Sequence, residues 1–448
     1  MKAEILARYA DKPLPRYTSY PTAPHFAAMA AGDYRQWLGE VAPGSDASLY
    51  LHLPFCRAMC WYCGCNTTVT ARDEPIARYV AALAREIELV SKTLPGRIGA
   101  RHIHFGGGTP TLMQPAQFGA LIAQLRGRFD VAADAEIAIE IDPRTLEQAM
   151  VGALAVGGVS RASLGVQSFD PLVQRAINRV QSFAETRNAV VRLRDAGIAA
   201  INFDLIYGLP HQTVDSCTQT ALQALELEPD RLAVFGYAHV PAFKRHQRKI
   251  DEGALADGSG RHAQAEAIAA VLVGAGYRRI GIDHYARIDD TLAIAAESGT
   301  LHRNFQGYTT DACDTLIGLG ASSIGRLPRG YFQNAVLIGD YQRRIAAGEF
   351  AASKGRAFVA EDRLRAAVIE RIMCDYRVDL DELCDRFGGE PAELIEGAGL
   401  DALIEDGIAR RDRHLVAVAD DARPLARVLA AAFDQYLGDG PARHSRAV

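Results

Sequence analysis

Apolar and polar residues alternate along the first two thirds of the chain in a pattern typical of strands followed by amphipathic helices. Apolar residues three and four positions apart predict a helix between Ile76 and Leu94, for example, and shorter apolar runs predict strands. Six strand–helix units follow one another, with strands predicted at 48–54, 101–105, 136–141, 160–166, 200–206 and 231–238, and a further strand at 278–283. Such alternation predicts a parallel sheet covered by helices. We therefore predict an α/β fold with a partial parallel (β/α) barrel of about six units.

Both ends of the chain depart from this pattern. Residues 1–45 include the segment PLPRYTSYPTAPHF, which is rich in Pro and Tyr and predicts an extended arm. After about residue 330 the pattern changes to short helices, predicted at 363–373, 380–387 and 392–406, and a hairpin at 407–418. We predict three parts: an N-terminal arm over 1–45, a barrel over 46–330, and a small, mainly helical, winged-helix-like domain over 331–448.

The amino-acid composition limits the classes of protein to which the chain can belong. Of 448 residues, 49% are hydrophobic and 23% are charged, which is typical of soluble globular proteins. The net charge of −5 argues against a general nucleic-acid-binding protein, and no apolar run approaches the roughly 20 residues that span a bilayer. Eight cysteines without a recognisable secretion signal predict reduced thiols in the cytoplasm, where an oxygen-sensitive metal cluster survives.

Half of the cysteines lie within ten residues of one another. The segment LHLPFCRAMCWYCGCN places Cys56, Cys60, Cys63 and Cys65 directly after the first predicted strand. Thiolates this close on one loop can bind a single metal centre, and three ligands leave one iron of a 4Fe–4S cube open to a non-protein ligand. A structural zinc site usually has a second pair of ligands farther along the chain, whereas the other cysteines are scattered singly. A zinc site and four buried, reduced thiols remain the alternatives at this point.

Chemically distinctive residues also follow the other predicted strands. They are the turn FGGGTP after the second strand, Glu140 and Asp142 at the third, Gln167 after the fourth, Asp204 in the fifth, and Ala238 with His239 at the sixth. Parallel α/β folds bind ligands at the carboxyl ends of their strands, so the shared position predicts a single site. Glycines there let the backbone approach a ligand closely. The carboxylates suit ribose hydroxyls or an ammonium group, and an internal salt bridge is the alternative for each of them.

The cysteine spacing, with Tyr62 just before the third cysteine, resembles the signature of radical S-adenosylmethionine (SAM) enzymes. The additional Cys65, together with RYTSYPTA, FGGGTPT, LGVQSFD and HRNFQGYTT, resembles the oxygen-independent coproporphyrinogen III oxidases along nearly the whole chain. The resemblance implies a 4Fe–4S cluster bound by Cys56, Cys60 and Cys63, and an N-terminal arm close to the active site. Because Cys65 lies too close to Cys63 to add comfortably to the same cube, it is better placed as an active-site thiol.

The resemblance also implies two SAM molecules, a number that no local pattern in the sequence indicates. Contacts to the first SAM are expected from Tyr50, Gly107, Glu140 and Ile324. Contacts to the second are expected from Tyr62, Gly108, Thr109, Gln167, Arg179, Asp204 and Ala238. The family often has Phe at the position of Tyr62, and the tyrosine still supplies an aromatic face.

The reaction that the resemblance implies is an anaerobic oxidative decarboxylation. A 5′-deoxyadenosyl radical, made when the reduced cluster gives an electron to SAM, removes hydrogen from a propionate of coproporphyrinogen III. Loss of CO2 and of one electron leaves a vinyl group, and two such conversions give protoporphyrinogen IX for haem biosynthesis. The expected partners are this substrate, an unidentified flavodoxin- or ferredoxin-like electron donor and an electron acceptor. No nucleic acid or membrane partner is expected, and the protein is expected to be a monomer.

Two other functions stay open on the sequence alone. A radical-SAM-like haem chaperone keeps the cysteine triad and binds SAM but decarboxylates nothing, and such proteins typically lack the fourth cysteine and the long arm that this chain has. The second is a radical SAM enzyme for another substrate. For a substrate with four carboxylates, Arg16, Arg287 and Arg303 are candidate contacts, although surface solvation explains any single arginine more simply.

Overall fold

The computed structural model describes residues 3–10 and 12–438. Its strands are β1 (Ala27–Ala28), β2 (Asp46–Leu53), β3 (Phe55–Cys56), β4 (Thr68–Val69), β5 (Gly99–Gly107), β6 (Asp130–Ile141), β7 (Arg161–Gln167), β8 (Ala200–Tyr207), β9 (Arg231–Gly236), β10 (Tyr277–Ile280), β11 (His284–Arg287), β12 (His302–Asn304), β13 (Gly307–Thr309), β14 (Thr315–Leu319), β15 (Ile324–Leu327), β16 (Gly330–Asn334), β17 (Ala352–Ala357), β18 (Arg377–Asp379), β19 (Ala409–Asp412) and β20 (Leu415–Val418). Its α-helices are α1 (Ala3–Ala10), α2 (Ala31–Gly39), α3 (Glu74–Thr93), α4 (Pro115–Arg128), α5 (Gln148–Gly157), α6 (Pro171–Ala176), α7 (Phe183–Asp195), α8 (Val214–Leu225), α9 (Gly258–Gly274), α10 (Thr291–Ser298), α11 (Ile338–Ala346), α12 (Ala360–Asp375), α13 (Leu380–Phe387), α14 (Pro391–Ala398), α15 (Asp401–Glu405) and α16 (Ala426–Ala432). Within these ranges no helix has both the length and the apolar character needed to cross a bilayer.

One large sheet of 13 strands organises the molecule, in the order β1-β17-β16-β15-β14-β2-β5-β6-β7-β8-β9-β11-β10. Strands β2, β5, β6, β7, β8 and β9 are parallel neighbours in sequence order, and they are the strands of the six predicted units. Strand β14 pairs in parallel with β2, and antiparallel strands extend both edges. In the described part of the chain the sheet does not close on itself, so the predicted partial parallel barrel is confirmed.

Helix α3 shows how the periodic pattern positions an element. Its apolar residues three and four positions apart share one face and are at most 5% exposed: Ile76, Val80, Leu83, Ile87 and Val90. Burial of each such side chain contributes about 1.5–3 kcal/mol. The buried face fixes α3 in the main core with the inward residues of β2, and the cysteine loop lies between these two elements.

The last strand of the predicted alternation differs in its pairing. Strand β10 pairs antiparallel with β11, and β11 pairs antiparallel with β9. This hairpin places Ala286 opposite Arg231, at the amino-terminal end of β9. Arg287 therefore lies at the edge of the sheet opposite to the cysteine loop. A short apolar run predicts a strand but not the direction in which it pairs.

Several elements fall outside the predictions from sequence, among them two strands and two helices near the ends of the large sheet and of the chain. Strands β16 and β17 extend the large sheet past residue 330, and β17, with the sequence ASKGRA, is largely polar because only the two-residue strand β1 covers its outer side. Helices α1 and α2 lie within residues 1–45, where the sequence analysis predicts an extended arm. Residues 13–22, between these two helices, contain no helix or long strand.

The C-terminal region has a core of its own, built by α12 to α16 and the small sheet β18-β20-β19. The helices predicted at 363–373, 380–387 and 392–406 correspond to α12, to α13, and to α14 with α15. Three aromatic residues of the N-terminal segment, Tyr9, Tyr17 and Tyr20, are buried in this same core. The Tyr17 hydroxyl donates to Asp434 Oδ2 at 3.0 Å. The N-terminal segment therefore packs against the C-terminal region.

A buried carboxylate links α3 to the strands on the far side of β14. Glu86 is 3% exposed and accepts three hydrogen bonds, from the Gly320 backbone N–H (2.6 Å), the Asn334 amide (2.6 Å) and the Tyr341 hydroxyl (2.8 Å). Burial raises the pKa of Glu86 to about 7, against the lowering effect of these three donors. The carboxyl group is therefore protonated more readily in the folded chain than in the unfolded chain.

This pKa predicts a pH-dependent contribution to stability. Because the folded-state pKa lies above the unfolded value, the contribution is complete below about pH 4.5 and is lost as the pH rises through 7. We expect urea unfolding to show that the stability of wild type relative to Glu86→Gln falls by about 1 kcal/mol or more between pH 5 and 8. Glu86→Ala leaves three buried donors unpaired and should cost about 3 kcal/mol or more at either pH. A wild-type-to-Glu86→Gln difference that is the same at both pH values would contradict this account.

Candidate active site

The cysteine loop follows β2 and is held by backbone hydrogen bonds on both sides. Strand β3, which includes Cys56, pairs with β4, and Cys63 N donates to Cys60 O at 3.2 Å. The backbone N–H of Trp61 donates to Ile177 O at 2.9 Å, at the end of α6. These contacts fix the direction of a loop that has little regular structure of its own.

Donor groups from three other segments surround the sulfurs of this loop. The Thr109 hydroxyl lies 3.6 Å from Cys56 Sγ. Two guanidinium groups approach Cys60 Sγ, Nη1 of Arg179 at 3.6 Å and Nη2 of Arg144 at 3.8 Å. Hydrogen bonds to sulfur stabilise a thiolate and influence the reduction potential of a cluster bound to it. The neighbouring strands therefore supply the environment that bound thiolates need.

Cys65 lies beside Cys63 on the same loop. A hydrogen bond between the two sulfurs lowers the pKa of Cys63 to about 6 and raises the pKa of Cys65 well above its usual value. The two thiols therefore titrate as a pair. The division into a metal ligand, Cys63, and an active-site thiol, Cys65, stays a prediction from the sequence.

The donor set of the cysteine loop fits an iron–sulfur cluster. No group of three or more His, Cys, Asp or Glu side chains in residues 3–10 and 12–438 is arranged to hold one metal ion. A preformed zinc site is therefore not found among the described cysteines. Three cysteines on one loop, with hydrogen-bond donors at two of their sulfurs, match the thiolate ligation of a 4Fe–4S cluster.

The interior side of the sheet carries a connected set of polar residues close to this loop. The Tyr50 hydroxyl lies 2.9 Å from His52 Nδ1, and the Tyr50 ring stacks on His104 with 5.8 Å between centroids. His104 Nε2 lies 3.2 Å from Glu140 Oε1, and the Gly107 backbone N–H donates to Glu140 Oε2 at 2.9 Å. The predicted first-SAM residues Tyr50, Gly107 and Glu140 therefore lie in one cluster.

Two half-buried carboxylates of this region have opposite pKa shifts. Burial acts to raise the pKa of Glu140, but the hydrogen bonds from His104 and from the Gly107 backbone lower it below its usual value. The pKa of Asp204, on β8, rises to about 7 because the group is buried and the Glu140 charge is close. Near neutral pH the site therefore holds one fixed negative charge at Glu140 and a second carboxyl that is partly protonated.

The glycine turn after β5 is required by contacts within the protein itself. A Cβ at Gly107, whose φ is +115°, would lie 2.7 Å from His52 Cε1, and a Cβ at Gly108 would lie 2.5 Å from Phe55 O. The sequence analysis attributes these glycines to a close approach of a ligand. The structure adds a different reason, which is that the turn packs directly on the residues that begin the cysteine loop.

Two predicted second-SAM residues have buried polar atoms without a hydrogen-bond partner among the described residues. They are Gln167 Oε1 and Arg179 Nε. Gln167 ends β7 with φ +69°, a strained conformation for a residue with a side chain. Arg179 donates to Gly165 O at 2.6 Å and lies 3.4 Å from Asp142 Oδ1. Unsatisfied buried donors and acceptors next to a strained residue indicate a ligand-binding position.

The remaining predicted contacts lie at the border of this region. Ala238 lies two residues beyond β9, and its carbonyl accepts a hydrogen bond from Gln247 at 3.2 Å. Gln247 also donates to Tyr62 O at 2.9 Å, so one side chain connects Tyr62 and Ala238. Ile324 begins β15, next to β14, whose Gly318 pairs with Tyr50.

Arg144 and Gln247 are not among the site residues predicted from the sequence. Arg144 follows β6 in the segment IDPRT, and its Nη2 pairs with Asp142 Oδ2 at 2.6 Å. An arginine directly after an acidic strand end is the signal that could have identified it. The candidate Arg287 is wrong, because its guanidinium is exposed, pairs with Asp289 and lies at the opposite edge of the sheet.

Comparison with known proteins agrees with this site. The model of the radical SAM superfamily matches residues 50–224. The oxygen-independent coproporphyrinogen III oxidase of Bradyrhizobium diazoefficiens is 57% identical over the whole length of both chains, and that of Pseudomonas aeruginosa is 41% identical over 97% of this chain and 96% of its own. The solved structure of coproporphyrinogen III oxidase from Escherichia coli, described as a radical SAM enzyme, has a TM-score of 0.90 and 37% identity over 94% of this chain and 98% of its own.

Identity this high over almost complete chains confirms the resemblance found in the motifs. Membership of the superfamily implies a 4Fe–4S cluster and SAM as cofactors. The chain belongs to the oxygen-independent coproporphyrinogen III oxidase family of radical SAM enzymes.

Proposed function

We propose that this protein converts coproporphyrinogen III to protoporphyrinogen IX without oxygen, by oxidative decarboxylation of two propionates to vinyl groups in haem biosynthesis. The proposal rests on the three-cysteine loop in a chain that aligns from end to end with an oxygen-independent coproporphyrinogen III oxidase. When bound, the cluster and SAM supply the 5′-deoxyadenosyl radical that removes hydrogen from the substrate.

The residues of the chain hold and orient these groups. Cys56, Cys60 and Cys63 are proposed as the three thiolate ligands, which leaves one iron for SAM. Cys65 is proposed as an active-site thiol, because it lies too close to Cys63 in the sequence to add comfortably to the same cube. Glu140 is proposed to bind a cationic or hydroxyl group of SAM, because its carboxylate stays ionised beside the glycine turn.

We further propose that two SAM molecules bind. Two propionates each require one hydrogen abstraction, and the structure offers two groups of polar residues at the same edge of the sheet. Glu140, Tyr50 and Gly107 form the first group. The partnerless polar atoms of Gln167 and Arg179 support a ligand at the second.

The N-terminal segment is proposed to contribute to substrate binding. Arg16 Nη2 donates to Gly236 O at 3.2 Å, at the carboxyl end of β9, and its guanidinium lies 5.9 Å from the centre of the Phe235 ring. Arg303 is buried, lies 4.3 Å from the centre of the Tyr308 ring and pairs with Asp283 at 3.9 Å. Arg16 is the more accessible of the two, and we propose that it binds a propionate carboxylate.

The chemistry of the reaction and the fold lead us to propose the redox partners, the compartment and the oligomeric state. A low-potential cluster requires a one-electron donor, which we propose to be flavodoxin- or ferredoxin-like, and each decarboxylation leaves one electron for an acceptor. Free thiols and an oxygen-sensitive cluster suit a reducing compartment such as the cytoplasm. We propose a monomer, since the described fold positions all of the site residues within one chain.

The proposed function is tested by anaerobic turnover of the reconstituted protein with SAM, a reductant and coproporphyrinogen III, with vinyl products followed by chromatography. We expect one monovinyl intermediate and then protoporphyrinogen IX, with two 5′-deoxyadenosines formed per product. Omission of SAM should stop the reaction. An intact cluster that cleaves SAM, forms no vinyl product and binds haem stoichiometrically would contradict the oxidase and favour a haem chaperone.

The guanidinium groups at Cys60 predict a measurable effect on the cluster. A cationic N–H donor to a thiolate stabilises the reduced, more negative state, so Arg144→Gln should lower the midpoint potential on the order of 50 mV, equivalent to about tenfold in a one-electron equilibrium. Potentiometry followed by electron paramagnetic resonance measures this shift. Arg57→Gln is the matched control, because Arg57 follows Cys56 in sequence but pairs with the exposed Asp73. Equal potentials in wild type and Arg144→Gln would refute the assignment.

A further inference from the structure

Six consecutive residues, KRHQRK at 244–249, form a basic turn directly on the cysteine loop. The turn follows β9 and contains Lys244, Arg245, His246, Arg248 and Lys249. Arg245, Arg248 and Lys249 are exposed, and the preceding Phe243 is 61% exposed. In a chain whose net charge is −5, this is a local excess of positive charge beside the proposed cluster site.

The basic turn is fixed to the backbone of the cysteine loop at three points. Lys244 Nζ donates to Cys65 O at 3.0 Å, His246 Nε2 to Cys63 O at 2.7 Å, and Gln247 Nε2 to Tyr62 O at 2.9 Å. In addition, the Lys249 ammonium lies 5.4 Å from the centre of the Trp61 ring. A molecule bound to the turn is therefore separated from the backbone of Cys63, a proposed cluster ligand, by one side chain, that of His246.

The exposed cations of the turn have no carboxylate partner in the described part of the chain. Within residues 3–10 and 12–438, Arg245, Arg248 and Lys249 form no ion pair with a carboxylate. The two acidic residues that follow have other contacts: Asp251 accepts from the Gly253 backbone N–H at 3.0 Å, and Glu252 lies 2.9 Å from His239. Unpaired exposed cations around an exposed aromatic residue are a surface suited to a protein of negative charge.

We propose that the basic turn, with Phe243, is the docking surface for an acidic one-electron carrier protein that reduces the cluster. This inference rests on the proposed function, because only a protein that uses a reduced cluster needs such a partner. One electron passes from the reduced carrier to the cluster in each encounter, and no covalent bond forms or breaks. Charge attraction brings the carrier to the side of the loop that bears Cys63, and the rigid anchoring of the turn fixes its orientation.

The test measures reduction of the cluster directly and does not depend on the substrate. A bacterial flavodoxin, fully reduced, is mixed with the reconstituted protein in a stopped-flow instrument, and bleaching of the cluster absorbance gives the second-order rate constant. In the double variant Arg245→Glu/Arg248→Glu we expect this constant to fall at least about tenfold at low ionic strength, and the difference from wild type to shrink as salt is added. Turnover with dithionite as reductant should be unchanged.

A matched control separates docking from overall charge. Arg386→Glu/Arg411→Glu makes the same change in net charge at two exposed arginines of the C-terminal region, on α13 and β19. We expect the control to be reduced by flavodoxin at the wild-type rate.

Three results would overturn the proposal. The first is a wild-type rate of cluster reduction in Arg245→Glu/Arg248→Glu, and the second is an equal loss in the control. The third is an unchanged rate of cluster reduction combined with lost turnover under dithionite, which would assign the turn to carboxylates of the substrate. Failure of wild type to form vinyl product would refute the proposed function alone, because the reduction rates are measured without substrate.

Discussion

Cys60→Ala should remove both the cluster and the activity. Its sulfur is one of only three proposed ligands, and it is the sulfur that two guanidinium groups approach, at 3.6 and 3.8 Å. Without it, only two of the three proposed thiolate ligands remain. We expect reconstituted Cys60→Ala to contain little iron, to lack the visible absorption of the cluster, and to form vinyl product only at the background rate.

Cys65→Ala is the matched control for this prediction, since it removes a thiol of the same size from the same loop. Because the three proposed ligands remain in Cys65→Ala, we expect iron content and visible absorption close to wild type. Turnover should nevertheless fall, because Cys65 is proposed as an active-site thiol. Loss of the cluster in Cys65→Ala would show instead that this residue is a ligand.

Cys60→Ala and Cys65→Ala distinguish the two roles proposed for cysteines of this loop, cluster ligand and active-site thiol. Three cysteines at a spacing of four and three residues can be recognised in the sequence because the ligands of one cluster must lie on one loop. The role of Cys65 depends on how the loop packs in three dimensions. The sequence therefore predicts the set of four cysteines more readily than the division between them.

For the sheet, too, local features can be predicted from the sequence more readily than features that depend on distant residues. Apolar periodicity is a local property, so it predicts α3 and the six parallel strands close to their bounds, except that β6 begins six residues earlier, at Asp130. Strand direction and edge position depend on distant partners, so the sequence predicts neither the antiparallel pairing of β10 nor the strands β11 and β17. The error at Arg287 follows directly, since a residue after an antiparallel strand lies at the opposite edge from the site.

For the site, the sequence predicts the positions of conspicuous residues but not the interactions between them. Glu140 and Asp204 were predictable because an acid near the carboxyl end of a parallel strand is conspicuous in sequence. Their opposite pKa shifts were not predictable, because they arise from His104, the Gly107 N–H and the proximity of the two carboxylates to each other. The basic turn was missed because an exposed run of cations is ordinarily a solvated surface, and only its contacts to the cysteine loop distinguish it.

The opposite pKa shifts predict that the two carboxylates respond differently to conversion into amides. Glu140→Gln removes a charge that wild type holds throughout the neutral range, and SAM binding should weaken about 100-fold at both pH 6 and pH 8, as expected for loss of a charged hydrogen bond. Asp204 has a pKa of about 7, so at pH 6 most of it is already neutral and Asp204→Asn should bind SAM nearly as well as wild type.

At pH 8 the Asp204 carboxylate is ionised and accepts stronger hydrogen bonds than an amide oxygen, so the difference between wild type and Asp204→Asn should appear there. Equilibrium dialysis of labelled SAM against the reconstituted proteins at the two pH values measures both effects. The Glu140→Gln series controls for any general effect of pH on the protein. An equal loss of affinity at pH 6 and pH 8 in Asp204→Asn would mean that Asp204 is ionised at both, and that burial beside Glu140 does not hold its proton in the functional site.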